Sequence, residues 1–307
     1  MTRLIDVEKL MKRCTICPRE CGVDRTIGKN GFCQADSKVE IYSAYLHFGE
    51  EPPISGINGS GAIFFNHCNM RCVYCQNYKF SQIEEGKVFE IDELADLMFS
   101  LERKGAHNIN LVTPTHYAVQ IANAVIEARK KGLNIPIVYN SSGYEKVETL
   151  CLLNGLIDVY LVDMRYGDNR SAQEYSSCNN YVEVNRKAVK KMHREVADLK
   201  LSSSGIALRG IIIRHLILPN NVSGTESIFK FISDCLGNNT YISLMSQYYP
   251  AHKAHNYSEI SRRINKLEYD EALSLLSKYD LKNGWVQEYM QDYTDSDFAG
   301  TNIEPNV

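Results

Sequence analysis

A chain of 307 residues with 44% hydrophobic content has the length for one large domain with a small extension, and ample material for a buried core. Its net charge of -3 gives no electrostatic case for a nucleic-acid protein, and apolar runs such as Gly210 to Ile213 are broken by Arg214 and His215 well before membrane length. The start, Met1-Thr-Arg-Leu-Ile-Asp6, has no apolar signal stretch, so the ten cysteines point to a reducing, cytoplasmic setting and to metal binding rather than disulfides.

Residues 1–40 read as a separate unit built around Cys14-x2-Cys17-x3-Cys21-x11-Cys33. Gly22, Gly28 and Gly31 let the chain turn tightly enough for Cys33 to close the set. Four thiolates make a closed shell, which suits a structural zinc, a rubredoxin-like iron or an auxiliary iron-sulfur cluster. Lys12, Arg13, Arg19, Arg25 and Lys29 crowd the segment as charge compensation for those thiolates. Residues 41–60 read as an irregular connector because of Pro52, Pro53 and several glycines. Its Tyr42, Tyr45, Phe48, Glu50 and Glu51 are expected to pack over the mouth of the fold and contribute to a site there.

Next comes Gly61-Ala-Ile-Phe-Phe-Asn-His-Cys68-Asn-Met-Arg-Cys72-Val-Tyr-Cys75-Gln-Asn77. The strand-like run Ala62 to Phe65 delivers three cysteines into a tight loop where their sulfurs can converge. Three thiolates on a four-iron cubane leave one iron open for a reacting ligand.

From residue 61 strand and helix signals alternate. Leu94, Leu97, Met98 and Leu101 mark one helix face, and Ala118, Ile121, Ala122, Val125 and Ile126 the next. Gly105 and Gly132 sit where these helices should stop. Buried-strand runs are Ile109 to Val112, Ile135 to Tyr139, Val159 to Val162, Ile206 to Ile213 and Tyr241 to Leu244. With Ala62 to Phe65 these make six βα units, which form an open or partial barrel or, from pattern alone, a doubly wound sheet. Glu268 to Tyr279 reads as a helix with Ala272, Leu275, Leu276 and Tyr279 inward, and the acidic tail from Asp292 as loose. Cys151 and Cys235 fall at core spacing, and Cys178 in a polar loop.

The expected strand ends are unusually polar: Thr113-Pro-Thr-His116, Asn140-Ser-Ser142-Gly143, Asp163-Met-Arg165, Arg214-His215 and Ser246-Gln-Tyr-Tyr249. Such groups converging at the carboxyl ends of strands suit a zwitterionic ligand with a ribose. His67, His116, His215, His252 and His255 are read as hydrogen-bonded or solvated, and none is assigned to a metal.

The x3/x2 cysteine spacing, with Tyr74 before the third cysteine, resembles the signature of the radical S-adenosylmethionine (SAM) superfamily. The resemblance implies a partial (β/α)6 TIM-like barrel over residues 61–250, with the four-cysteine extension at 1–40 and a helical extension and tail at 251–307. It implies a 4Fe-4S cluster on Cys68, Cys72 and Cys75 with SAM chelating the open iron. One electron, from a donor such as flavodoxin or ferredoxin, then cleaves SAM to methionine and a 5'-deoxyadenosyl radical that removes a hydrogen atom from the substrate. Within that superfamily the glycyl-radical-enzyme activases are most similar. Cys75-Gln-Asn77 matches their Cys-x-Asn, Asp163-x-Arg165 resembles their Asp-x-Lys, and Arg214 falls on their strand-five basic position. Tyr74, Asn77, Thr113, Asn140, Ser142, Asp163, Arg165 and Arg214 are thus the implied SAM contacts. Val112-Thr-Pro-Thr115 stands where those enzymes carry Gly-Gly-Glu, so the acid that takes the SAM ammonium is missing from strand two. The N-terminal pattern through Gly56 resembles the pyruvate-formate-lyase-activating-enzyme-related subgroup, a label that rests on the cluster loop and does not by itself establish a glycyl radical enzyme as the partner. Two other readings stay open: a radical SAM enzyme tailoring a small molecule or peptide, and a non-catalytic metal-binding interaction protein.

Overall fold

A computed structural model of the chain describes residues 4–83, 85–289 and 306–307; the tail expected to be loose from Asp292 lies almost wholly outside them. In chain order the strands are β1 (Val39–His47), β2 (Ser60–Phe65), β3 (Lys87–Phe89), β4 (Ile109–Val112), β5 (Ile137–Ser141), β6 (Val159–Asp163), β7 (Lys200–Leu201), β8 (Ala207–Leu216), β9 (Tyr241–Met245) and β10 (Gly284–Val286). The helices are α1 (Val7–Met11), α2 (Pro52–Ser55), α3 (Ile91–Arg103), α4 (Ala118–Lys130), α5 (Val147–Leu152), α6 (Asn169–Ser176), α7 (Tyr181–Val196), α8 (Thr225–Cys235) and α9 (Lys266–Lys278). Among the described residues the sheet runs β10-β9-β8-β6-β5-β4-β2-β1-β3, with β7 paired to β8 alone.

Along that order every pairing from β2 to β10 is parallel, β1 runs antiparallel to both β2 and β3, and the off-path β7 is antiparallel to β8. This is an open, partial (β/α)6 TIM-like barrel: six units as expected, with β10 as an extra parallel strand at one edge and an antiparallel rim at the other. No helix among the described residues is long and apolar enough to cross a membrane.

The alternation of strand side chains divides the interior in two. One set, including Ile63, Phe65, Ile109, Leu111, Ile137, Ile211 and Ile213, packs with Leu94, Met98, Ile121, Val125, Val189 and Ile228 of the surrounding helices. The other set points into the barrel, where Val138, Leu161 and Ile212 form a small apolar cluster. Further along the same strands the inward residues become Asn140, Asp163 and Arg214, so the barrel is apolar low down and polar at its carboxyl end. The helices start and stop on local signals: α3 and α9 open with reciprocal capping boxes, Glu90 with Glu93 and Asn265 with Glu268. Gly105 and Gly132 follow α3 and α4 in the left-handed region, as anticipated.

Three expectations are corrected. The stretch 41–60 is not an irregular connector throughout, since its first residues continue β1, paired residue by residue with β2. Nor does it cover the mouth. Because β1 runs antiparallel to β2, the turn between them lies at the amino end of the parallel strands. There α2 inserts fully buried Ile54 among Val138, Leu161 and Ile212 and closes the barrel floor. Cys151 and Cys235 are exposed rather than core residues: in six-residue α5 the inward pair is Thr149 and Leu150, and Cys235 ends α8. Cys178, placed between α6 and α7, is by contrast fully buried.

The N-terminal segment has no separate core. Met11, Cys14, Ile16 and Ala35 join the main one, and Thr149 Oγ1 donates to the Ile16 carbonyl at 2.5 Å.

Candidate active site

A cavity of about 380 Å³ opens at the carboxyl end of the parallel strands, walled on one side by Cys68, Cys72 and Cys75 and on the other by Asn140, Asp163, Arg165 and Arg214. The cluster loop leaves fully buried β2 through His67 and Arg71, both in the left-handed region at φ 72° and 63°. Such backbone is disfavoured for side chains that size and needs outside support. Part of that support is Glu40 on β1, whose carboxylate lies 3.0 Å from His67 Nε2 and also accepts from the Gly86 N–H at 2.6 Å.

Each loop sulfur meets a hydrogen-bonding group. The Met70 N–H donates to Cys68 Sγ at 3.3 Å, and Cys75 Sγ pairs with Ser81 Oγ at 3.4 Å. Cys72 takes Ser176 Oγ–H at 2.9 Å and faces Arg165 Nη1 at 3.8 Å. Behind Ser176 stands a file of hydroxyls: Tyr74 donates to Tyr166 at 2.7 Å, and Tyr166 lies 2.7 Å from Ser176 Oγ. Each hydroxyl has one proton, so with Tyr74 donating at one end and Ser176 at the other, Tyr166 must donate to Ser176. Burial pushes the Cys72 thiol up, and the Cys75 thiol up to about 12, so these sulfurs favour the thiolate only with a cation beside them. A cubane places each thiolate on its own iron, and three donor-supported sulfurs on one cavity wall fit that use.

The opposite wall is a charged ladder. Asp163 and Arg214 are register partners on β6 and β8, and Arg214 Nε donates to Asp163 Oδ1 at 2.8 Å. Arg165 Nη2 donates to the other carboxylate oxygen at 2.6 Å. Burial alone would raise the Asp163 carboxyl, but the two guanidiniums outweigh it and hold it below its ordinary value. Arg214 also donates to Asn140 Oδ1 at 2.5 Å and reaches Glu50 Oε2 at 3.3 Å. Glu50 Oε1 in turn accepts from Asn110 and Asn140 at 3.0 and 3.2 Å. An acid is therefore present in the barrel, supplied from the floor by the β1–β2 turn rather than from the end of β4.

The polar positions singled out from sequence line the cavity together: Tyr74, Asn77, Thr113, Asn140, Ser142, Asp163, Arg165 and Arg214. Among them Asn77 Oδ1, Ser142 Oγ and Arg165 Nε are buried with no hydrogen-bond partner among the described residues. Buried polar atoms are rarely left so, and three of them on one cavity fit a polar ligand held there. Thr113 sits at φ 60°, a costly conformation for a β-branched residue at a strand end. Gly143 holds φ 73°, and a Cβ there would come within 2.6 Å of the Asp163 carbonyl, so the turn after β5 requires glycine. Ser176, Tyr166 and Gln287 neighbour the site without any sequence signal that marks them. Of the N-terminal cations, Arg25 is buried with Nη1 4.0 Å from Cys14 Sγ. Arg19 instead bridges to the barrel, donating to the Asn69 carbonyl at 2.8 Å and to Cys178 Sγ at 3.2 Å.

An open α/β barrel with a three-cysteine loop after its first parallel strand and a polar ligand cavity beside it defines a class of iron-sulfur enzymes. The chain belongs to the radical SAM superfamily, whose family model matches residues 62–232. It is 35% identical over 285 residues to an uncharacterized protein of Methanocaldococcus jannaschii, covering 89% of this chain and 77% of that one. A putative glycyl-radical enzyme activating enzyme of the same organism is 25% identical over 180 residues, 57% of this chain and 69% of the relative. Among solved structures, HydG, a maturase of the FeFe-hydrogenase, superposes with a TM-score of 0.50 at 13% identity. That match covers 71% of this chain and 48% of HydG, and it concerns the fold alone.

Proposed function

We propose that Cys68, Cys72 and Cys75 carry a 4Fe-4S cluster, that SAM lies in the adjoining cavity, and that the enzyme abstracts a hydrogen atom from a glycyl radical enzyme. The observation that carries the reading is the cavity itself, with three sulfurs on one wall and a buried acid-guanidinium ladder on the other. When bound, the cluster supplies the electron that opens the SAM sulfonium. The chain's own residues do the holding. Arg165, whose Nε has no partner among the described residues, offers a cation to a carboxylate, Asp163 keeps it aimed, and Asn77, Ser142 and Thr113 offer neutral partners to ammonium and ribose groups. Glu50 and Asn140 fix Arg214 from below.

A volume of about 380 Å³ stands near the low end for one drug-sized ligand. SAM would occupy most of it, so the hydrogen donor must present itself at the mouth, as a backbone loop of a partner protein can. The distant relative described as a putative glycyl-radical enzyme activating enzyme supports the same substrate class. A one-electron donor such as flavodoxin or ferredoxin completes the partner set.

The test is anaerobic reconstitution with iron and sulfide, then a one-electron reductant and SAM, with chromatography for 5'-deoxyadenosine. The expected result is nucleoside release that a Cys72→Ala variant lacks. A verified cluster with no release above that variant refutes the reading. Mixing with a glycyl radical enzyme from the same source should give a glycyl radical signal by electron paramagnetic resonance; release of the nucleoside without that signal moves the substrate assignment to a small molecule or peptide.

A further inference from the structure

Where the N-terminal segment meets the residues following β4, a second cavity of about 10 Å³ is walled by Cys14, Cys17, Cys21, Cys33, Arg25 and His116. His116 is 1% exposed. Its Nε2 lies 2.6 Å from the Asn66 carbonyl oxygen. A carbonyl only accepts, so Nε2 carries the hydrogen and Nδ1 is a bare lone pair. That Nδ1 is buried and has no hydrogen-bond partner among the described residues. A ring that gives one N–H to a backbone carbonyl and keeps its other nitrogen buried and unpaired, in a residue lining a cavity with four cysteines, has the outer support typical of a metal-ligating histidine.

We propose that Cys14, Cys17, Cys33 and His116 Nδ1 bind one zinc-class ion, so that the metal is held jointly by the N-terminal segment and the barrel. About 10 Å³ is room for roughly one water-sized body, the scale of a single ion. Three sulfurs and one nitrogen make a closed structural zinc set. Cys21 is left outside because it is exposed, whereas Cys14 and Cys17 are buried and Cys33 partly so. Arg25, 1% exposed with Nη1 4.0 Å from Cys14 Sγ, balances the excess charge of three thiolates on a divalent ion. No three His, Cys, Asp or Glu side chains among the described residues are gathered tightly enough to hold an ion as they stand, so binding turns the thiols inward about their side-chain torsions. Because His116 hangs on the Asn66 carbonyl, such an ion would also pin the start of the loop that carries Cys68.

The experiment is zinc-edge X-ray absorption on the full-length chain after its iron-sulfur cluster has been rebuilt, with zinc alone added, so that the edge reads this site only. The expected result is one zinc per chain with three sulfurs at about 2.3 Å and one nitrogen at about 2.0–2.1 Å. His116→Ala should weaken zinc binding by about tenfold or more. Should that variant fail to fold, the wild-type spectrum decides alone. A four-sulfur shell refutes the role of His116, and binding of well under one zinc per chain refutes the site.

Discussion

Replacing Asp163 by Asn tests the charged ladder without touching its shape. The amide keeps one acceptor oxygen at the same place but removes the charge that two guanidiniums share, Arg214 at 2.8 Å and Arg165 at 2.6 Å. Asp163 is 6% exposed, so water cannot replace it. Removing one partner from a buried ion pair costs about 3–5 kcal/mol. Glu50 still faces Arg214, which places this variant toward the lower figure, a loss of about 3 kcal/mol at neutral pH. Urea unfolding of the cluster-free chain measures it. The pH dependence gives a second reading. The folded-state pKa of Asp163 lies below its ordinary value, so its stabilisation is complete above the unfolded value of about 3.9 and is lost as pH falls through the lower folded value. The gap between wild type and Asp163→Asn should therefore be widest near pH 7 and shrink in acid. Equal stabilities at pH 7, or a gap that widens in acid, would refute the reasoning.

Glu145, buried under Thr115 and Ser141, has its carboxyl pushed up to about 7 by burial. The folded state then binds the extra proton, so this group's stabilisation is full below the unfolded value of about 4.3 and lost as pH rises to 7; Glu145→Gln should flatten that slope in thermal melts taken from pH 4 to 8. Gly143→Ala should destabilise by about 1–3 kcal/mol, since its Cβ would meet Asn185 Nδ2 at 2.1 Å at a φ of 73°, and an unchanged urea midpoint would count against the strain assigned there. Arg19→Met should open the partly exposed stretch 18–22 to limited proteolysis while Met11, Ile16 and Ala35 stay packed in the main core, because Arg19 joins the Asn69 carbonyl to Cys178; equal cleavage patterns would show that the bridge is dispensable.

The cluster loop was legible in the sequence because its ligands lie within eight residues, a distance over which spacing alone fixes proximity. The strand ends were legible because side-chain alternation carries Asn140, Asp163 and Arg214 inward with the apolar residues before them. β1 was obscured by the prolines that follow it, although Val39-Glu-Ile-Tyr-Ser-Ala-Tyr-Leu-His47 has strand composition of its own. The position of Glu50 depended on which end of the barrel the turn closes, and that follows only from β1 being antiparallel to β2. His116 is hydrogen-bonded as expected, but its partner was not legible, for a related reason. What distinguishes it is the carbonyl of Asn66, fifty residues earlier in the chain, and no local pattern records that contact.

The file of hydroxyls from Tyr74 through Tyr166 to Ser176 makes the three loop sulfurs electronically unequal. Every O–H dipole in it points toward Cys72, and aligned hydrogen bonds strengthen one another. Cys72 also faces the guanidinium of Arg165 at 3.8 Å, whereas the hydrogen-bonding partners of Cys68 and Cys75 among the described residues, the Met70 N–H and the Ser81 hydroxyl, are neutral. Hydrogen bonds to a coordinating sulfur draw off its electron density and raise the reduction potential of the attached iron. An iron bound at Cys72 would thus be the easiest of the set to reduce, and Arg165 and Tyr166, just past β6, and Ser176, at the end of α6, set this bias from about a hundred positions downstream. Substitutions in that distant helix could retune the redox behaviour of the loop while leaving its cysteine spacing untouched.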